Sequence, residues 1–91
     1  MPKICMHYVI SGRVQGVWYR SATMQEAKKL HLTGWVKNAH NGDVEVLACG
    51  AEADLQTFAS WLRQGPMLAK VESVTAKEMS WQEYDKFVIQ Y

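Results

Sequence analysis

Ninety-one residues, 48% of them hydrophobic and 21% charged, suit one globular domain spanning 1–91 and exclude a disordered chain. A net charge of +1 gives no global field to draw the chain to nucleic acid or to an anionic membrane, so any anion site must be local. No apolar run approaches the roughly 20 residues of a membrane span and no leader-like apolar core follows the N-terminus, so the expected address is the cytoplasm.

Taken in order, Ile4 to Ser11 reads as a short buried strand, β-branched and aromatic through Met6-His7-Tyr8-Val9-Ile10. The glycine-containing stretch G-R-V-Q-G-V-W-Y-R follows from Gly12 to Arg20. Ser21 to Leu32 then has helical periodicity, with Thr23, Ala27 and Leu30 as a core stripe and Gln25, Lys28 and Lys29 outward. Thr33 to Asn38 and Asp43 to Cys49 read as the second and third strands, joined by an Asn41-Gly42 hairpin signal whose residues tolerate positive φ. The second helix runs from about Ala51 to Arg63, with Leu55, Phe58, Ala59 and Leu62 as its apolar stripe. Glu52 and Asp54 suit the positive end of its dipole, and Gly65-Pro66 stops it. Between Ala69 and Lys77, the odd spacing of Val71 and Val74 predicts a bulge or an irregular edge strand. The stretch Met79 to Glu83 is a connector with no clear element, and Phe87, Ile89 and Tyr91 at period two predict a final strand.

The order βαββαβ with an extra C-terminal strand predicts an α+β, ferredoxin-like domain: two split β-α-β units with right-handed crossovers, an antiparallel sheet and both helices on one face. In that topology the first two strands run parallel, so the Gly12–Arg20 loop and Asn38 emerge at the same edge. The third strand lies antiparallel between them and brings Cys49 beside Cys5. Three readings of that pair stay open: free thiols of a reducing cytosol, an inter-strand disulfide, and a metal site that also uses His7.

The loop has the makings of a phosphate cradle. Two glycines four residues apart let the backbone turn so that successive N–H groups converge on one anion, and the helix start behind them adds unpaired donors. Arg20, at that helix start, can grip two phosphate oxygens with a planar fork. Arg20, Asn38 and Arg13 gather at this edge, and none is a nucleophile or a strong base. A cysteine phosphatase needs a thiolate six residues before its arginine, where this chain has Val14, and no spacing supplies a two-metal centre. Positioning and electrostatics remain. Without a general acid such a site manages only a good leaving group, and a carboxylate, whose conjugate acid has a pKa of about 4, leaves unaided. Mixed anhydrides of carboxylic and phosphoric acid are the substrates that follow.

The stretches G-R-V-Q-G-V-W-Y-R at Gly12–Arg20 and G-W-V-K-N-A-H-N-G-D-V-E-V-L-A-C-G at Gly34–Gly50 resemble the two signatures of the acylphosphatase family. The likeness covers nearly the whole chain, including Gly65-Pro66 and the Phe87-Val88-Ile89 ending. It implies a ferredoxin-like monomer that hydrolyses acyl phosphates to a carboxylate and inorganic phosphate, with no metal and no cofactor. By position, Arg20 matches the arginine that binds the phosphoryl group and Asn38 the asparagine that orients the attacking water. The backbone N–H groups of Val14, Gln15, Gly16, Val17, Trp18 and Tyr19 match the cradle. Tyr19 stands where such loops usually carry Phe or Met, and Asn41 where many carry Asp; packing is the expected role of Tyr19, and Trp18 reads as a wall of the site or a surface aromatic. Two rivals differ in class. One is a ferredoxin-like RNA binder using Trp35, against which the balanced charge and the missing aromatic strand signature count. The other is a module that binds acyl phosphate or phosphate without turnover, which would use the same cradle.

Overall fold

Alternation along the first strand decides how the layers stack. The computed structural model describes residues 3–91, and in β1 (Lys3–Arg13) Tyr8 and Ile10 are fully buried. Tyr8 pairs with Val46 and Ile10 with Val44 of β3 (Val44–Ala51), and Val46 pairs in turn with Val36 of β2 (Thr33–Asn38). Residues opposite one another in a sheet share a face, so these side chains form one apolar surface. Onto it pack Tyr19 and Ala27 of α1 (Tyr19–Lys29) and Leu55, Phe58 and Leu62 of α2 (Glu52–Gln64), closing one core. The opposite face carries a smaller cluster of Cys5, Leu47 and Cys49, with Trp35, Met79 and Tyr84 packed against it.

With β4 (Lys70–Met79) and β5 (Phe87–Ile89) the sheet has the order β4-β1-β3-β2-β5. This is the ferredoxin-like βαββαβ arrangement with an added strand, and β3 lies between β1 and β2 as the topology predicts. The sheet is mixed rather than wholly antiparallel, because β5 pairs parallel to β2. The chain reverses once between β4 and β5. Since β4 runs opposite to β2 across the antiparallel ladders, one reversal delivers β5 in the direction of β2. The connector 80–86 belongs to no helix or strand, and within it the Gln82 N–H donates to Cys5 Sγ at 3.3 Å.

The odd spacing of Val71 and Val74 has a direct cause. Ser11 pairs with Ser73 but Gly12 pairs with Val71, which leaves Glu72 as the extra residue of a bulge. Gly12 sits there at φ 123°, and a Cβ on it would run into the Lys70 carbonyl. Helix α1 begins earlier and ends earlier than its periodicity predicts. Its buried stripe is Tyr19, Thr23 and Ala27, with Leu30 only half-buried, and His31 at φ 59° terminates it. The hairpin after β2 spans residues 39–43, and of Asn41 and Gly42 only the glycine takes positive φ. Tyr91, expected in line with Phe87 and Ile89, lies beyond β5 and is fully exposed.

Cys5 and Cys49 are directly opposed across β1 and β3, with Cα atoms 4.0 Å apart and the sulfurs bonded to each other. His7, on the same face, pairs instead with Glu45 at 3.3 Å. Among the described residues, no three His, Cys, Asp or Glu side chains converge on a possible metal position, and no helix is long and apolar enough to cross a membrane.

Candidate active site

The loop 14–18 passes from β1 into α1 by anchoring alternate side chains. Val14 is buried and Val17 packs against the core, while Gly16 projects outward at φ 73° with open space where a Cβ would stand. Trp18 takes the N-cap position of α1 at φ 68°, ψ 11°, and among the described residues no side chain caps the helix. The first amide of this turn to find a backbone acceptor is that of Ala22, which donates to the Trp18 carbonyl at 3.0 Å. Among the described residues, no backbone N–H from Val14 to Ser21 donates to a protein acceptor. These donors, together with the positive end of the α1 dipole, create a local anion-attracting field in a chain whose net charge is close to zero.

A depression of about 220 Å³ lies over this turn, lined by Val14, Gly16, Trp18, Tyr19, Arg20 and Ser21. Arg20 is half-buried, and its guanidinium carbon sits 5.1 Å from the centre of the Tyr91 ring. Tyr19 contributes backbone only. Its ring is buried, and its hydroxyl donates to the Leu62 carbonyl of α2 at 2.7 Å, the partner that the sequence could not name. Burial raises the pKa of that hydroxyl well above its ordinary value, so it stays protonated and structural. Trp18 is 66% exposed, on the rim. Arg13 is exposed at the end of β1, where it pairs with Lys70.

Asn38 ends β2 at the same edge of the sheet, exposed, in a neighbouring depression lined by Lys37, Ala39, His40, Glu45 and Tyr91. Tyr91 therefore touches Arg20 and borders the Asn38 depression. A second link runs beneath. Gln15 Nε2 donates to the carbonyls of Ala39 and Asp43, each at 2.8 Å, and so joins the loop to the hairpin that follows Asn38. Sequence reasoning assigned nothing to Tyr91 at the site, because its position depends on where β5 docks. It placed Gln15 in the cradle by its main chain alone; the one hint of more was a polar side chain between two valines that turn inward. Such an arrangement can hold an anion and orient a polar group beside it. Among the described residues, no carboxylate is paired with Arg20 to neutralise it.

The acylphosphatase family model matches residues 6–89. The chain is 44% identical over 85 residues to an acylphosphatase of Legionella pneumophila, covering 93% of both chains. The structure of an acylphosphatase from Coxiella burnetii superposes with a TM-score of 0.94 at 40% identity, covering 97% of this chain and 93% of that one. The crystal structure of acylphosphatase from Bacillus subtilis does so with a TM-score of 0.94 at 38% identity, covering 97% and 99%. Family model, curated relatives and fold agree, and the chain belongs to the acylphosphatase family, enzymes that hydrolyse acyl phosphates.

Proposed function

We propose that the chain cleaves the carboxyl–phosphate bond by direct in-line attack of water. In this reading the amides of the 14–18 loop and the Arg20 guanidinium hold the phosphoryl oxygens, and the Asn38 carboxamide orients the water. The observation that carries it is the run of main-chain N–H groups without a protein acceptor beside the depression that Arg20 lines. Donors set in place before the reaction stabilise the charge that gathers on the equatorial oxygens without reorganising. The leaving carboxylate needs no proton, which suits a site with no acid at hand. The core closes within one chain, which supports a monomer; a single monomeric species in sedimentation is the expected result.

Arg20→Ala should lose both inorganic phosphate binding and turnover. Asn38→Ala should lose roughly 10²–10³ in kcat while retaining most phosphate affinity. Steady-state release of phosphate from acetyl and benzoyl phosphate, with inorganic phosphate as inhibitor, measures both; parental activity in either variant would refute the assignment. An alkyl phosphate ester should be turned over far more slowly than either acyl phosphate, and equal rates would show an acid that this reading lacks.

A further inference from the structure

We infer that the side chain of Gln15 is a positioning residue: it locks the phosphate loop to the hairpin behind Asn38 and so sets the distance between the held phosphoryl group and the water. The inference rests on the assignment of Arg20 and Asn38 proposed above. The machinery is split between two elements, donors and Arg20 on the loop and start of α1, Asn38 at the end of β2. Among the described residues, the only hydrogen bonds between loop 14–18 and hairpin 39–43 are the two from Gln15 Nε2, at 2.8 Å to the Ala39 carbonyl and 2.8 Å to the Asp43 carbonyl.

Those two carbonyls belong to the pair that closes the hairpin. The Ala39 N–H donates to the Asp43 carbonyl at 2.8 Å, directly beyond the last ladder pair, Asn38 with Val44. One amide group therefore spends both of its protons at the mouth of the hairpin, next to Asn38. The opposite rotamer would turn Oε1 onto two carbonyl oxygens, so the chemistry dictates which end points there. Inward, Val14 and Val17 hold the loop to the core; sideways, toward Asn38, Gln15 is the tie. Gly16, the next residue, is outward, with open space where a Cβ would stand, and adds no side-chain contact to that tie. In-line attack is sensitive to a shift of the loop, since a misplacement of about 1 Å can cost on the order of 10²-fold in rate.

The experiment compares the parent with Gln15→Met, which keeps the length and removes both donors, with Asn38→Ala, and with the double variant. Gln15→Met should lower kcat for benzoyl phosphate by about 10- to 100-fold and leave the inhibition constant of inorganic phosphate within about threefold, because cradle and guanidinium are intact. In the Asn38→Ala background it should cost little further, as expected for a residue acting through Asn38. Gln15→Glu, which sets a carboxylate against two carbonyls, should be at least as slow at pH 7 and recover relative to the parent as pH falls and the group regains a proton to donate. Phosphate affinity falling in step with kcat, an unchanged kcat, or losses that multiply in the double variant would each overturn the inference. If Gln15→Met fails to fold, Gln15→Asn, one methylene too short to reach both carbonyls, replaces it with the same readouts. Parental activity in Asn38→Ala would sink the underlying assignment instead, and so separates the two failures.

Discussion

Trp18 adopts a left-handed backbone conformation, φ 68° and ψ 11°, in which an L-residue crowds its own Cβ. The penalty is about 1 kcal/mol, and with the ring 66% exposed little packing offsets it. Trp18→Gly should therefore stabilise the protein by about 0.5–1 kcal/mol in urea unfolding. It keeps the amide of a residue that lines the depression, so turnover of acetyl phosphate should stay within about threefold; a large fall would give the indole ring a role in holding substrate. The same position shows what a sequence reveals at this scale. Trp18 was recognisable as a residue of the loop from the glycines around it, whereas its backbone angle and exposure depend on how α1 seats on the core.

Elements and their order were largely legible, because periodicity and glycine or proline stops are properties of residues close in the chain. Thr33–Asn38 was read with the bounds the strand has, and the bulge in β4 was visible in the spacing of Val71 and Val74. Helix α1 starts two residues before the bound that its periodicity predicts. Tyr19 belongs to the helix rather than to the loop, and its ring packs in the core, the role expected of it. The pairing of β1 with β3 carries a prediction at this scale. The disulfide between Cys5 and Cys49 links residues 44 apart in sequence, and closing such a loop is worth about 4 kcal/mol by its entropy. Thiol titration of unfolded, unreduced protein should find no free thiol, and reduction should lower the urea midpoint by a corresponding amount. Turnover should persist below the unfolding transition, because the bond lies at the end of β1 remote from the loop. Two titratable thiols would return the pair to the free state.

At the scale of the molecule, α2 is pinned from two sides by tyrosine hydroxyls. Tyr19 of α1 donates to the Leu62 carbonyl at 2.7 Å, and Tyr8 of β1 makes a longer contact with the Leu55 carbonyl at 3.4 Å. Burial pushes the Tyr8 pKa from 10.0 to about 12 despite the opposing pull of Arg63, and raises that of Tyr19 further. In the unfolded chain both titrate near 10, so the folded state binds more protons between the two values. The stability they contribute is complete below pH 10 and is lost as pH rises through 12. Urea midpoints should stay level to about pH 10 and then fall, and Tyr19→Phe should flatten that fall; an unchanged slope would mean that other groups drive it. Local pattern by itself determined the order of elements, the crossover that sets the glycine loop beside Asn38, and the place of Arg20 at the start of the first helix. Only the tertiary structure decided the parallel seating of β5, the stack of Tyr91 against Arg20, the bond from the Tyr19 hydroxyl to the Leu62 carbonyl and the Gln15 bridge. Each of these joins segments distant in the chain, and such meetings follow from strand register and core packing, which no window of neighbouring residues encodes.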